Sequence, residues 1–377
     1  MALRNKLLSV EIKGYKSFDS LGQKFTPGAL TVLIGANGAG KSNLVSLFKM
    51  ISFMMRGSFQ NFVGLNGGAR SLLNFGPKKT KQIECKISFE THDSIDVYTF
   101  VVTYAAGDTF IFTEEELIWS KEGEENPYQR IFESGNKESS IFTNNNTGNN
   151  GPLKVIEKLL KRIQVFQFHD TSTESGMRGK SLLSDNKYLR SDGSNLATIL
   201  YYLSNNETTR QYFSRIENYV RLIMPEFKCF ILEPDSLNEN SILLKWMGND
   251  SDYVFGPHQL SDGSLRFIAL ITLLLRPQNL LPSVVVIDEP ELGLHPAAIS
   301  ILASIMNGVK ESTQIIVGTQ SVNLLNEVDP LDIVVVEKDI VSGGTKLLKP
   351  EPETLDIWLE EYSLGELWEK NVLGGRP

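Results

Sequence analysis

Residues 35–42 read Gly35-Ala36-Asn37-Gly38-Ala39-Gly40-Lys41-Ser42 and fill the pattern G-x-x-x-x-G-K-[ST] without a gap. The five residues before them, Leu30 to Ile34, form a short apolar run. After them, Leu44, Leu47, Phe48 and Ile51 recur at helical spacing within Ser42 to Phe53. Strand, tight loop and helix are therefore expected in succession, which is the context this pattern requires. The glycines let successive backbone N–H groups point into one concavity, and the helix N-terminus adds a favourable dipole for an anion. Read this way, Gly35 to Asn43 cradle the phosphates of a nucleotide, the Lys41 ammonium reaches the terminal phosphates, and the Ser42 hydroxyl ligates Mg2+.

A second run carries complementary chemistry. Val284-Val285-Val286-Ile287-Asp288-Glu289 is a buried-type strand ending in two carboxylates. Asp288 suits the Mg2+ shell, and Glu289 suits orienting or deprotonating an attacking water. Two acids at a strand end are weak evidence alone, because loop mouths are often acidic; behind a phosphate loop they are an independent second witness. Downstream, Ala297 to Val309 reads as helix, and Ile315 to Gly318 and Ile333 to Glu337 alternate with a short helix near Val322 to Asn326. That is the rhythm of a parallel sheet covered on both faces. From Gln82 to Trp119, β-rich runs with Gly107-Asp108 as a turn pair predict an antiparallel meander. Pro152 to Arg162 and Asn195 to Met224 read as helical, the latter as two helices broken near Ser204 to Thr208.

The expected fold class is α/β, with a mixed or parallel sheet, an antiparallel β subdomain and a helical lid. The chain divides into an N-terminal lobe (1–120), a polar insertion (121–151), a lid (152–225), a C-terminal lobe (226–350) and a tail (351–377). The insertion, rich in Glu, Asn and Gly, lacks the material for a core and is expected to be a mobile surface segment.

His258 to Phe267 opens an amphipathic helix, and here the sequence resembles a known family. Leu260-Ser261-Asp262-Gly263-Ser264 resembles the ABC signature in its LSDG form, as found in SMC and RecF-type heads and in OLD-like ATPases. Asp288 to Pro296 looks like that family's Walker B with its D-loop, and Ile12 to Phe18 resembles the end of its opening strand. The resemblance runs from about Leu7 to the C-terminus and implies an ABC-type P-loop ATPase head. It further implies that Ser261 and Gly263 of one protomer complete the γ-phosphate site of another. ATP would then hold a head-to-tail homodimer with two composite sites, and hydrolysis would release it. Independently, a helix N-terminus with a small hydroxyl residue is an anion receptor, although a serine can also cap a helix with no ligand.

One position departs from the family. A His usually follows the strand after Walker B, whereas this chain reads Val317-Gly318-Thr319-Gln320-Ser321. Gln320 can hydrogen-bond a phosphate or a water but cannot carry positive charge or shuttle a proton, so slow hydrolysis is expected. Glu289, Lys41 and Gln320 are the catalytic candidates. Gln82 and Gln167 both qualify as the Q-loop residue, and His169 and His258 are the histidines expected nearest the nucleotide or lid.

A chain of 377 residues with 41% apolar content can bury a large core. No apolar run is long enough to span a membrane, and Met1 to Gly14 lacks a leader's apolar stretch, so a cytoplasmic location is expected. Cys85 and Cys229 lie far apart without CxxC spacing, which leaves Mg2+ with ATP as the expected metal. The net charge of −8 argues against indiscriminate nucleic-acid affinity, although Lys78-Lys79-Thr80-Lys81 is a local basic patch and DNA stays open as a ligand. Three functions compete. The first is an ATPase gating a separately encoded effector, as in DNA-maintenance and anti-phage systems. The second is a transporter's nucleotide-binding subunit, which the long segment between Lys41 and Ser261 disfavours. The third is an ATP-bound scaffold without turnover. About forty residues follow Glu337, too few for a fused TOPRIM nuclease. The aromatic tail from Trp358 suits either docking onto a neighbour or plain core packing.

Overall fold

Consecutive apolar residues, unlike alternating ones, make strands that are buried on both faces. The computed structural model describes residues 5–91, 94–121, 127–143, 151–250 and 252–375. One sheet has the strand order Thr345–Leu348, Ile333–Lys338, Leu30–Ile34, Gln314–Thr319, Val284–Asp288, Ile163–Phe166. All neighbours in it run parallel except Thr345–Leu348, which turns back antiparallel on Ile333–Lys338. Successive side chains serve two different cores. Val32, Ile34, Val285, Ile287, Ile315 and Val317 pack with the helices Leu196–Asn205, Asp262–Leu274 and Pro296–Val309. Leu33, Val284, Val286 and Ile316 pack instead with the helix Lys41–Met54 and a second sheet. Each fully buried Val or Ile contributes about 1.5–3 kcal/mol, so the layer order follows directly from the apolar runs.

The second sheet has the order Gln23–Phe25, Lys6–Lys13, Gln82–Glu90, Ser94–Ala105, Thr109–Lys121, Tyr128–Ile131, all antiparallel. Gln82–Glu90 alternates buried and more exposed residues along its whole length, as a sheet with one covered face requires. Thr109–Lys121 carries the polar run Thr113 to Glu116 within one continuous strand. Its buried Glu115 explains how a polar run is accommodated: the carboxylate accepts from Tyr98 Oη at 2.7 Å, Ser139 Oγ at 2.5 Å and the Ser140 N–H at 2.8 Å. Burial, reinforced by the Glu115 charge, pushes the Tyr98 phenol well above its ordinary pKa.

The polar stretch 121–151 differs from expectation where it is described. Tyr128–Ile131 extends the antiparallel sheet by pairing with Thr109–Lys121, and Ile141 is fully buried. Residues 122–126 and 144–150 of that stretch lie outside the described residues. Farther along, Asn238–Ile242 and Lys245–Gly248 belong to two separate three-stranded sheets. In the tail, Leu364 and Leu367 are buried in the main core, while Ile357 and Trp358 remain exposed.

One buried side chain ties the two sheets together. Gln314 accepts the Leu7 N–H at 2.6 Å and donates to the carbonyls of Leu7 and Gly28, both at 3.1 Å. Replacing Gln314 by Leu strands those three backbone groups in the core at a cost of about 3 kcal/mol. Chemical denaturation of Gln314→Leu should show a loss of that order; a loss within experimental error would mean the sheets do not rely on this contact.

Candidate functional site

Three strands of the parallel sheet end level, because Leu33 and Asp288 both pair with Gly318, and Ile34 pairs with Thr319. The residues that follow these strand ends are the phosphate loop, Glu289 and Gln320. Ligands of open parallel sheets sit at this edge, where loop backbone and helix N-termini converge.

The loop is held from outside. Gly40 adopts φ 124°, and a Cβ there would lie 2.1 Å from Thr345 Oγ1. Thr345 is that close because its hydroxyl donates to the Ala39 carbonyl at 2.7 Å. Asn43 is turned to Ser17, donating to its Oγ at 2.7 Å. The Ala36 N–H donates to the carbonyl of Gly375 at 2.6 Å, so the tail offered by sequence for docking also braces this loop. Lys41 is buried, and its ammonium donates to the carbonyls of Gly35 and Ala36. Burial lowers its pKa, against the opposing charges of Glu289, Asp288 and Glu291.

The carboxylates face it. Burial raises the pKa of Asp288, with Glu289 adding to the effect and His169, Gln167 and Lys41 opposing it. Gln167 Nε2 lies 3.4 Å from Asp288 Oδ2, and the Gln167 oxygen accepts from Lys49 Nζ at 3.5 Å. His169 Nε2 is 2.9 Å from the Asp288 carbonyl oxygen. Glu289 adopts φ 46°, rare for a non-glycine residue, and its N–H donates to the Gly318 carbonyl at 2.7 Å. Gln320 Nε2 donates to Asn37 Oδ1 at 2.7 Å and lies 3.5 Å from Glu289 Oε1, joining loop and acid. Glu291, not singled out from sequence, accepts from Thr319 Oγ1 at 2.6 Å and the Gln320 N–H at 3.3 Å, and burial raises its pKa.

Of the two glutamines suggested for the Q-loop, only Gln167 is hydrogen-bonded to a site carboxylate among the described residues. Gln82 is exposed on the antiparallel sheet and bonds Glu84. His258 is likewise exposed, in a short turn of helix before the signature. Ser261 caps its own helix, accepting the Ser264 N–H at 3.0 Å. Among the described residues no hydrogen bond or ion pair joins Ser261 or Gly263 to the phosphate loop or the carboxylates.

Sequence reasoning missed two arginines. Arg266, buried one turn into the signature helix, donates to the carbonyls of Phe168 at 2.8 Å, His169 at 3.0 Å and Leu292. Arg178, also buried, donates to the carbonyls of Thr171 at 2.8 Å and Leu260 at 3.1 Å and pairs with Asp262 at 2.7 Å. Together they pin the segment after Gln167 to the signature helix and the loop after Walker B. The available signal was Arg266 itself, a charge inside an otherwise apolar helix, since a buried guanidinium requires fixed acceptors.

A family model described as "AAA domain, putative AbiEii toxin, Type IV TA system" matches residues 30–326. Among curated proteins none matches the chain. Among solved structures, a crystal structure of an Smc head bound to the C-winged helix domain of ScpA is similar at 15% identity and TM-score 0.59, covering 93% of this chain and 99% of that one. An Smc head with an extended coiled coil, bound to the C-terminal domain of ScpA derived from Pyrococcus furiosus, is similar at 15% identity and TM-score 0.58, with 95% and 99% covered. At this identity the likeness is one of fold, and it is the ABC-type head fold.

Gly263 has a structural duty within its own chain. A Cβ there would lie 2.3 Å from the Gly293 carbonyl oxygen. Gly263→Ala should therefore destabilise the isolated chain by about 1–3 kcal/mol through overpacking, whereas Ser261→Ala should cost about 1 kcal/mol as a lost cap. Thermal unfolding without nucleotide reads both; an undisturbed Gly263→Ala would show that the signature helix and the 293 loop can separate freely.

Proposed function

The chain belongs to this AAA-domain family, and from that premise we propose that it binds ATP with Mg2+ and hydrolyses it as a head-to-tail homodimer that gates a separately encoded effector. The observation that carries the reading is the convergence of Lys41, Asp288, Glu289 and Gln320 at one level edge of the sheet. Lys41 is buried against loop carbonyls, and exchanging them for phosphate oxygens would relieve the penalty that burial places on its charge.

The donor set fits Mg2+. Ser42 is an exposed hydroxyl at the start of the helix, and Asp288 is a buried carboxylate whose side chain has, among the described residues, one long hydrogen bond, from Gln167. These are hard oxygen donors of the kind that hold Mg2+ together with phosphate oxygens. Bound there, Mg2+ would supply charge neutralisation on the phosphates. Glu289 would hold and deprotonate the attacking water, and Gln320 would place it between the acid and the loop. Lacking a cationic form, Gln320 offers no positive charge to the transition state, so turnover would be slow.

Ser261 and Gly263 would complete the site of a second protomer, as their exposed helix N-terminus permits. A separate partner finds support in the two similar Smc heads, each bound to part of ScpA. Action beside such a partner in DNA maintenance or anti-phage defence is the setting we propose. Among the described residues no helix is long and apolar enough to cross a membrane, in keeping with a cytoplasmic location.

ATP turnover and solution mass, measured for wild type and Glu289→Gln with Mg2+ and with or without duplex DNA, test the reading. The wild type should hydrolyse ATP, and the variant should be at least about a hundredfold slower and persist as an ATP-dependent dimer. If neither protein hydrolyses ATP and mass ignores it, Ser261 and Gly263 have no role across protomers, and a nucleotide-bound scaffold becomes the better description.

A further inference from the structure

The strand Gln314–Thr319 ends one residue before Gln320, and the next helix begins at Val322. Backbone in such a turn has no ladder of its own, so its groups must be held by other means. A single carboxylate oxygen does this. Glu291 Oε1 accepts the Gln320 N–H at 3.3 Å and the Thr319 hydroxyl at 2.6 Å. Thr319 Oγ1 in turn accepts the Ser321 N–H at 2.9 Å. Gln320 is thus gripped at its own N–H and through both of its chain neighbours.

The loop that carries Glu291 is itself fixed. The Glu289 N–H donates to the Gly318 carbonyl at 2.7 Å, the Leu294 N–H donates to the Glu291 carbonyl at 2.9 Å, and Arg266 donates to the Leu292 carbonyl. At the far end of the turn, the Gln320 amide reaches Asn37 Oδ1 at 2.7 Å and Glu289 Oε1 at 3.5 Å. A glutamine side chain is rich in rotamers, so aiming it between the phosphate loop and the acid requires a backbone that does not wander. Glu291 has a second connection to the site, since its charge, with those of Glu289 and Asp288, opposes the lowering of the Lys41 pKa by burial. The bonds at Oε1 need only an acceptor, whereas an effect on Lys41 needs the charge. The other oxygen, Oε2, is buried without a hydrogen-bond partner among the described residues.

We propose, resting on the ATPase reading of this site, that Glu291 is a positioning residue for hydrolysis, which acts through Gln320 by holding the turn Thr319-Gln320-Ser321 beside Glu289. Among the described residues no hydrogen bond joins Glu291 to Lys41 or Asp288, and the phosphate loop is braced from elsewhere, by Thr345 and Gly375. Loss of Glu291 therefore lets Gln320 drift from Glu289 while the groups that would hold nucleotide and Mg2+ stay in place. Catalysis falls, and nucleotide affinity does not.

Steady-state ATP hydrolysis with Mg2+ tests this for the full-length wild type, Glu291→Ala, Glu291→Gln, Gln320→Ala and the double variant Glu291→Ala with Gln320→Ala, each confirmed as folded by thermal unfolding. Glu291→Ala should lower kcat about ten- to hundredfold and leave KM for ATP within about twofold. Glu291→Gln, which keeps the accepting oxygen and removes the charge, should recover to within about threefold of wild type. Once Gln320 is Ala, adding Glu291→Ala should cost little more, because both changes remove one function. A Glu291→Gln variant as slow as Glu291→Ala would assign the charge facing Lys41 as the role and overturn the proposal, as would full additivity in the double variant. Amide hydrogen exchange across residues 314–325, without nucleotide, reads the grip independently of turnover. Exchange at Gln320 should quicken in Glu291→Ala and keep its wild-type rate in Glu291→Gln. In a wild type without turnover the ATPase reading fails, and exchange alone decides whether Glu291 holds Gln320; unchanged protection in Glu291→Ala refutes it.

Discussion

The register of the parallel sheet is the constraint on which the site depends. Gly318 pairs on one side with Leu33 and on the other with Asp288, so three loops leave the sheet at the same height. A one-residue slip would exchange the faces of every side chain on the slipped strand. It would move Ile34 or Ile287 out of the core they share and displace the phosphate loop or the carboxylates by about 3.3 Å. The same alternation that fills two cores thus fixes the distance between Lys41 and its facing acids. Gly318 itself belongs to this arrangement, since a Cβ there would approach Asp288 Oδ1 to 3.0 Å.

Around that edge the molecule spends buried charge on holding loops together. Arg266 and Arg178 direct their guanidinium groups mainly at carbonyls of irregular backbone, which lacks a hydrogen-bonded ladder of its own. A guanidinium has five donors in a rigid fork, so one side chain satisfies three carbonyls from two separate segments and fixes their relative positions. Gln167 gains from this: the chain after it is clamped at Phe168, His169 and Thr171, which keeps its amide beside Asp288. Glu289, at a left-handed φ, is fixed in a comparable way by its N–H bond to Gly318.

Much of this was legible in residue order. The phosphate loop, the Asp288-Glu289 strand and the helix after Ser261 lie where their apolar periodicity places them, because burial on one or two faces writes directly into the sequence as a run or a period. Short-range pattern has no access to partners distant in the chain. Gln314 bonds residues some three hundred positions away, and nothing around it announces that duty. The polar stretch near Tyr128 forms a strand because a neighbour offers it an edge, and its own composition argues otherwise. Gln82 and Gln167 looked alike as candidates because what separates them is which sheet each one ends in.

The signature helix shows how one glycine can answer two demands. Gly263 meets the Gly293 carbonyl closely enough to exclude any side chain, so its smallness is already required within one chain. The same absence of a side chain leaves the first turn of that helix accessible, beside an exposed Ser261 whose hydroxyl is engaged with Ser264. Intrachain packing therefore accounts for the glycine without any second protomer, and a role across protomers must be argued from the exposed N-terminus and not from the glycine alone. What the packing does contribute to such a role is rigidity: Arg266 and the Gly263–Gly293 contact tie the helix to the loop after Glu289. A ligand reaching Ser261 from another chain would then be felt at the carboxylates through two short links rather than through a flexible arm.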